Sequence, residues 1–333
     1  MNEKDETVKD DEKAPDSLLE EIREVLGRLP AKRTFLGLVG IWFLIFQFLG
    51  NSTKGYIQSD SLFVWLKIAY GSGDGDDSHG FLIPFIVLGF LWWKRETLLS
   101  LDLKPWWGGL VFLGLGSLAH LLGYATQIVH LSIVGMVCGL YGLTGLVWGR
   151  AWMKNTFFPF VLFAFSVPLG ANGDFITFPL RMIVTTSSVW ISNAFMGIDV
   201  VRDGSRIFDP SGTLQYDVAP ACSGIRSLTA LFLLSTVLAM TTLRSFWRRA
   251  ALIGLTIPIA IVGNTSRIVA VIVAGEAFGQ EAGMKVHDWA WIFTYGTALA
   301  LIFGLSMILN RRSPTAETRL NDPLPEGGEP DLT

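Results

Sequence analysis

The stretch Ala219-Pro-Ala-Cys-Ser-Gly-Ile-Arg-Ser227 stands at a sharp change in composition. The segment before it, Val200–Val218, is polar, and the run after it, Leu228–Met240, is mostly apolar. An apolar run of about 20 residues has the length that an α-helix needs to cross the hydrocarbon core of a membrane. The stretch therefore predicts the point where a polar segment outside the membrane enters a membrane helix, with Cys222 at the boundary.

The whole chain has the composition of a membrane protein. Half of its 333 residues are hydrophobic and only 17% are charged, whereas a soluble domain carries about a quarter of charged residues. The charges gather at the two ends and in short loops. We therefore expect an all-α polytopic membrane protein. The net charge of −3 comes without a basic patch, so we expect no nucleic-acid partner.

About eight apolar segments have the composition of membrane helices. We expect the sixth of them to begin near Ala221, just before Cys222. In chain order the segments are Phe35–Leu49, Gly80–Trp93, Trp106–Gly123, Ile128–Trp148, Phe157–Leu169, Leu228–Thr242, Ala250–Ala274 and Trp289–Leu309.

Clusters of Lys and Arg follow most of these segments, and basic residues mark the cytoplasmic side of a membrane. All clusters fall on that one side if the apolar segment Phe175–Met196 does not cross. Because this segment also holds Arg181 and several Ser and Thr residues, we expect a helix lying in the outer interface. Both termini are then cytoplasmic, and Cys222 faces the outside.

The ends of the chain differ from the membrane domain, which we place at residues 34–310. Residues 1–33 form a charged cytoplasmic tail, in which apolar residues from Leu18 to Leu29 recur at helical spacing. This spacing predicts a short amphipathic helix on the membrane surface. The charged start, Met1–Lys13, and the Pro- and Glu-rich cytoplasmic tail, residues 311–333, have the composition of disordered segments.

Short alternating runs occur within Val200–Val218, between Gly and Pro residues that favour turns. This pattern predicts a small external β-hairpin directly before Cys222.

Two further chemical groups lie at a similar depth in this topology. Arg267 is in the outer third of the seventh predicted span, and His287 is at the outer start of the last. A charged residue inside a membrane helix costs about 2.5–3.5 kcal/mol on insertion scales, so Arg267 needs a partner or a wet cavity. A nearby cation lowers the pKa of a thiol, histidine transfers protons, and a guanidinium stabilises an oxyanion. With Cys222, these groups are sufficient for peptide-bond cleavage through a thioester.

Several stretches resemble the exosortase/archaeosortase family. Ala221-Cys-Ser-Gly-Ile-Arg-Ser227, Asn264-x-x-Arg267 and His287 look like its three signature stretches, in the expected order. Ser78-His-Gly-Phe-Leu-Ile-Pro84 resembles a stretch found early in bacterial exosortases. The family often has a glycine four residues after the histidine, where this chain has Trp291.

The resemblance implies a membrane-embedded cysteine protease or transpeptidase in the bacterial inner membrane, with its active site on the periplasmic side. Its protein substrates would be exported proteins that end in a short motif, a transmembrane helix and a basic cluster; the motif is Pro-Glu-Pro in the common bacterial type. Besides these proteins, the lipid bilayer would be its partner.

Carried over to this chain, the resemblance makes Cys222 the nucleophile, His287 the acid and base, and Arg267 the stabiliser of the thiolate or oxyanion. Ser223, Gly224 and Asn264 would lie near the site. His79 would do so as well if it lines the mouth of the site rather than anchoring the second span. We expect no cofactor, because one thiolate and one imidazole leave a tetrahedral metal site two ligands short.

A non-catalytic transporter or envelope assembly factor is the alternative. Pro258 and Gly263–Ser266 interrupt one predicted span, but we find no matching interruption of the kind that inverted-repeat transporters show. The second cysteine, Cys138, lies in the middle of a predicted span, where we expect it to pack as a small hydrophobic residue.

Overall fold

The computed structural model describes residues 17–50, 59–71, 77–168, 174–210, 215–217, 225–289 and 291–310. Cys222, Ser223 and Gly224 lie outside the described residues, as do the two ends that were predicted to be disordered. The described part is mainly helical, as the composition predicts. The chain divides into two compact units, Met1–Gly170 and Ala171–Thr333, called unit 1 and unit 2 below.

The regular elements described in unit 1 are all helices. Its α-helices are α1 (Leu18–Arg28), α2 (Lys32–Phe48), α3 (Leu62–Gly71), α4 (Ile83–Trp93), α5 (Arg95–Leu99), α6 (Gly109–Thr126), α7 (Val129–Trp148) and α8 (Arg150–Val161). Two 3-10 helices, Ser78–Phe81 and Leu162–Ser166, precede α4 and follow α8.

The short amphipathic helix predicted near the start of the chain is present as α1. The Ser17 hydroxyl accepts a hydrogen bond from the backbone N–H of Glu20 at 3.3 Å and so caps the first turn. The helix ends just before Pro30, because a residue that precedes proline is disfavoured in the α conformation. The chain then turns by 95° into α2.

Helices α6 and α7 pack backbone against backbone. A methyl group added to Gly116 would lie 2.6 Å from the carbonyl oxygen of Gly135, and one added to Gly135 would lie 2.5 Å from that of Gly116. Gly109 and Gly142 show the same reciprocal relation at 2.5 and 2.6 Å. In lipid, apolar helices gain no hydrophobic drive to associate, and small residues allow the close approach that holds them together. The α6–α7 pair therefore depends on glycine at these positions.

Unit 2 contains helices and one small sheet. The helices are α9 (Asp174–Phe195), α10 (Ile225–Thr242), α11 (Phe246–Gly254), α12 (Thr256–Phe278), α13 (Gln280–Trp289) and α14 (Trp291–Asn310). The strands are β1 (Val201–Asp203), β2 (Arg206–Phe208) and β3 (Gln215–Asp217).

The predicted β-hairpin is present as β1 and β2, but the sheet has a third strand that the prediction omitted. Phe208 of β2 pairs with Val201 of β1 on one side and with Gln215 of β3 on the other, both antiparallel. Gly204 has a φ of +60° and makes the tight β1–β2 turn. Strand β3, Gln215–Asp217, pairs with the edge of β2 that β1 leaves free and satisfies its backbone hydrogen-bonding groups.

Two hydrophobic clusters hold unit 2 together. The first joins α9, the sheet and α12 through the buried side chains of Val184, Ile207, Ile268 and Ile272. The second joins α10, α11, α12 and α14; its buried members are Leu231, Ala239, Leu243, Leu252, Ala260, Ala298 and Ile302. Because α12 contributes to both clusters, it is the central helix of unit 2.

Three described segments are long and apolar enough to cross a membrane, namely Gly109–Thr126, Val129–Trp148 and Phe246–Phe278, which is α11 with α12. A fourth is added if α1 and α2 are counted as one bent span. The polytopic prediction is thus supported, while the count of eight spans is not confirmed. Shorter apolar helices cover Leu62–Gly71, Ser78–Trp93, Leu228–Thr242 and Thr294–Asn310.

The bounds of two predicted spans differ from the structure. Only the start of the segment predicted as Phe157–Leu169 lies in α8, which begins at Arg150 and ends at Val161. A 3-10 helix then begins at Leu162. The last long helix begins at Trp291 and is preceded by the separate helix α13.

The predicted interruption at Gly263–Ser266 is also wrong, since α12 is continuous there. Pro258 is tolerated because it lies in the first turn of α12.

The predicted interfacial segment Phe175–Met196 does form one helix, α9. Several of its polar side chains, however, are buried in the protein. Arg181 is only 8% exposed, and α9 packs along α12. Part of the polar content that suggested an interfacial helix is therefore turned toward protein, and the position of α9 in a membrane stays a prediction.

Candidate active site

Helices α12 and α13 form a hairpin that turns at Gly279. This glycine has a φ of +89°, in a region that residues with a side chain rarely adopt. Its N–H donates to the carbonyl of Gly275 at 2.8 Å. At about 1.5 Å of rise per residue, Arg267 lies about 18 Å before the turn and His287 about 12 Å after it. Because α13 packs back along α12, the long arginine side chain covers the difference.

The hairpin brings Arg267 and His287 into contact. Nη2 of Arg267 lies 3.4 Å from Nε2 of His287 and donates to the backbone carbonyl oxygen of the same histidine at 3.3 Å. A guanidinium has donors only, so Nε2 accepts and the proton of the neutral imidazole is on Nδ1. The distance of 3.4 Å is longer than the usual N–H hydrogen bond of about 2.9–3.0 Å, so the ring is held weakly at this nitrogen.

The Nε donor of the Arg267 guanidinium takes no part in these contacts. Its Nε atom is buried and has no hydrogen-bond partner among the residues that the structure describes. Leaving a donor buried and unsatisfied costs about 1–3 kcal/mol, and more for a charged group. The side chain is therefore arranged for an additional acceptor beside His287.

Asn264 lies on α12, one turn before Arg267, and is 2% exposed. Its neighbour Gly263 lets α14 approach closely: a methyl group there would meet the carbonyl oxygen of Thr294 at 3.0 Å and Cβ of Ala298 at 3.6 Å. The signature stretch Asn264-x-x-Arg267 thus begins directly after a close contact between α12 and α14. Asn264 is thus buried in the protein interior, three residues before Arg267 on the same helix.

His79 belongs to unit 1, where it lies half-buried in the 3-10 helix Ser78–Phe81. The next residue, Gly80, sits against the ring of Tyr70, so that an added methyl group would lie 2.3 Å from Cε1 of that ring. The Tyr70 hydroxyl in turn donates to the backbone carbonyl of Ser166. These contacts tie the residue that follows His79 to unit 1. Both interpretations of His79, as an anchor of the second span or as part of the mouth of the site, stay predictions.

The two elements that flank Cys222 in the chain are both described. Strand β3 ends at Asp217, five residues before it, and α10 begins at Ile225, three residues after it. Helix α10 packs against α12, which carries Arg267, and against α14. Among the described residues, no group of three or more His, Cys, Asp or Glu side chains is arranged to hold a metal ion.

The other cysteine has the packing role that was predicted for it. Cys138 is half-buried in α7, and its thiol donates to the backbone carbonyl of Phe112 at 3.3 Å. This bond crosses from α7 to α6 and leaves the thiol inside the closely packed helix pair.

One feature of unit 2 was missed in the sequence. Polar residues at intervals of four, three and four lie on one face of α9 and are buried: Arg181, Thr185, Ser188 and Ser192. The spacing is visible in the sequence, but the prediction of an interfacial helix used only the polar content of the segment. Only the packing of α9 on α12 shows that this face is turned inward.

The chain matches the model of one protein family over most of its length. That family is described as "Transmembrane exosortase", and the match covers residues 65–307, which is more than half of the chain. The matched range includes the stretch around His79, the Cys222 motif, Arg267 and His287. No curated protein and no solved structure matched the chain. By the extent of the family match, the chain belongs to the transmembrane exosortase family.

Proposed function

We propose that this protein is a membrane-embedded cysteine protease or transpeptidase that cleaves the C-terminal sorting signals of exported proteins. The observation that carries the proposal is the contact between Arg267 and His287, which are twenty residues apart in the chain. An acid–base group and an oxyanion stabiliser have to stand side by side for acyl transfer. In a member of the exosortase family, that pair needs one nucleophile, and Cys222 is the residue that the family motif offers.

The proposed reaction starts with proton transfer from the Cys222 thiol to Nε2 of His287. The thiolate attacks the scissile carbonyl carbon, a C–S bond forms, and the carbonyl oxygen becomes an oxyanion. Collapse of this intermediate breaks the C–N bond, and the proton on His287 passes to the leaving amine. Water or an amine then attacks the thioester and releases the thiol.

The contact supports a second task for Arg267. In the arrangement described above, Nε2 is the basic nitrogen of His287, and Arg267 donates to it. For Nε2 to accept a thiol proton, the guanidinium must turn from the ring toward the developing oxyanion. Because the contact with Nε2 is long, at 3.4 Å, moving the guanidinium from the imidazole to the oxyanion costs little free energy. The unused Nε donor can form a second hydrogen bond to the oxyanion.

The length of one helical segment and the basic residues at its start support a site on the outer side of the membrane, and the bacterial inner membrane is taken from the family resemblance alone. The segment Phe246–Phe278 has 33 residues and so a length of about 50 Å, compared with about 30 Å for the hydrocarbon core. Arg244, Arg248 and Arg249 lie at its start, which favours a cytoplasmic position for that end. Arg267 is then about 30 Å along the helix, at the outer edge of the hydrocarbon. The rest of the proposed topology is unchanged: about eight spans within residues 34–310 and two cytoplasmic tails.

Co-expression with a tagged substrate tests the function. The substrate carries a C-terminal motif, a transmembrane helix and a basic cluster, and loss of this signal is followed as a shift on a gel. We expect processing by the parent protein and by Cys138→Ala, and none by Cys222→Ala. Processing by Cys222→Ala at the parent rate would contradict the cysteine-protease proposal and favour a non-catalytic membrane protein.

A further inference from the structure

The buried polar face of α9 is directed at α12. On the helix surface the line through Ser188 and Ser192 runs between Val184 and Val189. Val184 is a member of the hydrophobic cluster that contains Ile268 and Ile272 of α12, and Val189 packs against that cluster. Because Val184 and Val189, on the two sides of this polar line, both belong to or pack on the cluster that contains Ile268 and Ile272, we infer that the line faces α12. The buried polar residues of α9 on this face extend from Arg181 to Ser192.

Helix α12 presents a polar group to the same interface. Thr265 is 6% exposed and lies at helical spacing between Ile261 and Ile268, both of which belong to or pack on the α9–α12 cluster. We call the interface formed by Ser188, Ser192 and Thr265 the hydroxyl seam. It is the part of the α9–α12 contact in which polar groups replace apolar ones.

The hydroxyl groups of the seam make no hydrogen bonds to the described part of the chain. The Oγ atoms of Ser188 and Ser192 and Oγ1 of Thr265 are buried and have no partner there. Serine and threonine in a helix commonly donate to the carbonyl one turn earlier. Thr186 on the same helix does so, with its hydroxyl 2.8 Å from the carbonyl oxygen of Met182. The three seam hydroxyls are therefore left available in the closed interface.

Unsatisfied buried hydroxyls weaken the interface that contains them. Each costs about 1–3 kcal/mol relative to a state in which it finds a partner. A polar ligand that enters between α9 and α12 recovers this cost, whereas an apolar ligand does not. The seam is thus better suited to an occupied, open state than to permanent closure.

The proposed reaction indicates which polar ligand needs such a site. A protease requires its substrate extended at the scissile bond, and an extended segment exposes backbone N–H and C=O groups. In a membrane these groups have to be satisfied by protein, because lipid offers no partner. A hydroxyl suits both kinds of group, since it donates one hydrogen bond and accepts others.

The seam lies at the level of the reactive pair along α12. Thr265 is two residues before Arg267, so the two side chains point to different sides of the helix. The seam is linked to the pair through α13, because Val286, which adjoins His287, packs against the α9–α12 cluster. We propose that α9 moves away from α12 to admit the extended backbone of the sorting signal, and that Ser188, Ser192 and Thr265 hydrogen-bond to it. This inference rests on the proposed function, and it makes α9 a lateral gate for the substrate.

The test replaces the seam hydroxyls by apolar groups of similar size in the full-length protein: Ser188→Ala, Ser192→Ala and Thr265→Val. Thermal stability should stay the same or rise, because an unsatisfied hydroxyl is removed. Processing of the tagged precursor should fall by about fivefold for each hydrogen bond lost to the substrate. Alkylation of Cys222 by a small thiol reagent should be unchanged.

Two threonines serve as matched controls. Thr186 is exposed on α9, and Thr236 is buried on α10 with its hydroxyl bonded to the carbonyl of Phe232 at 2.7 Å. Thr186→Val and Thr236→Val should process the precursor at nearly the parent rate. In a Cys222→Ala background, the triple seam variant should also co-purify with less precursor than the Cys222→Ala protein itself.

The outcomes separate this inference from the function on which it rests. If the triple variant processes the precursor like the parent while Cys222→Ala does not, the gate is wrong and the protease stands. If the seam substitutions lower thermal stability and processing together, the hydroxyls are structural and the gate is equally wrong. Processing by Cys222→Ala would remove the proposed function itself.

Discussion

Nη2 of Arg267 lies 3.4 Å from Nε2 of His287 and 3.3 Å from the backbone carbonyl oxygen of the same residue. One guanidinium therefore contacts both the reactive ring and the main chain of α13. The contact positions the imidazole as well as supplying a positive charge. A substitution at Arg267 is expected to disturb both properties, and the predictions below separate them.

Cys222→Ala should abolish processing while the protein still folds and inserts, because a small apolar side chain suits a helix boundary at the membrane. Cys222→Ser should be nearly as inactive, since a hydroxyl is far harder to ionise than a thiol with its ordinary pKa of about 8.5. The gel assay with the tagged substrate measures both. Cys138→Ala is the matched control and should be close to the parent, because that thiol packs between α6 and α7.

Arg267→Lys should reduce processing by about tenfold to a hundredfold, the range expected when a hydrogen bond to a charged group of about 1.5–3 kcal/mol is lost. An ammonium retains the charge but cannot reproduce the planar fork that contacts the ring and the carbonyl of His287 together. Rates are compared with those of Arg267→Ala. Equal rates for Arg267→Lys and the parent would show that charge alone is sufficient.

His287→Ala should lower the rate by about 10²–10⁴, the usual contribution of general acid–base catalysis. Its thermal stability should fall little, because the side chain is only half-buried. An unchanged processing rate in His287→Ala would contradict a role of His287 as the acid and base.

Gly116→Ala should destabilise the protein by about 1–3 kcal/mol, as overpacking does. The new methyl group would lie 2.6 Å from the backbone carbonyl oxygen of Gly135, which cannot move without separating α6 from α7. Gly114→Ala on the same helix is the control, because nothing lies within 4 Å of its added methyl group. It should be neutral or stabilising by about 0.5–1 kcal/mol. Melting temperatures in one detergent test the pair of variants.

Gly279→Ala should weaken the α12–α13 hairpin and so reduce processing more than overall stability. The space around the added methyl group is open, so the effect arises from backbone strain at a φ of +89°, which costs about 1–3 kcal/mol. Gly296→Ala in α14 also adds its methyl group to open space but without a positive φ, and it should be close to neutral. Similar activity in the two variants would argue against the strained turn as the element that positions His287.

Local patterns in the sequence were sufficient for several features of this protein. The membrane class follows from apolar runs, and α1 follows from the spacing of Leu18 to Leu29. The β-hairpin follows from short runs around Gly204. The family follows from the motif stretches in their order along the chain. Each of these depends on residues that are close together in sequence, or on order alone, so no knowledge of the packing was needed.

The tertiary structure alone decided the relations between distant residues. The run that ends in the last helix is broken into α13 and α14, and α13 folds back at Gly279. His287 therefore contacts Arg267 from α13 instead of standing at the start of the last long helix. The polar line on α9 has the same sequence pattern whether it faces water or protein, and only its packing on α12 distinguishes the two. Periodicity shows that a helix has a polar face, whereas the neighbour of that face is determined by contacts between segments far apart in the chain.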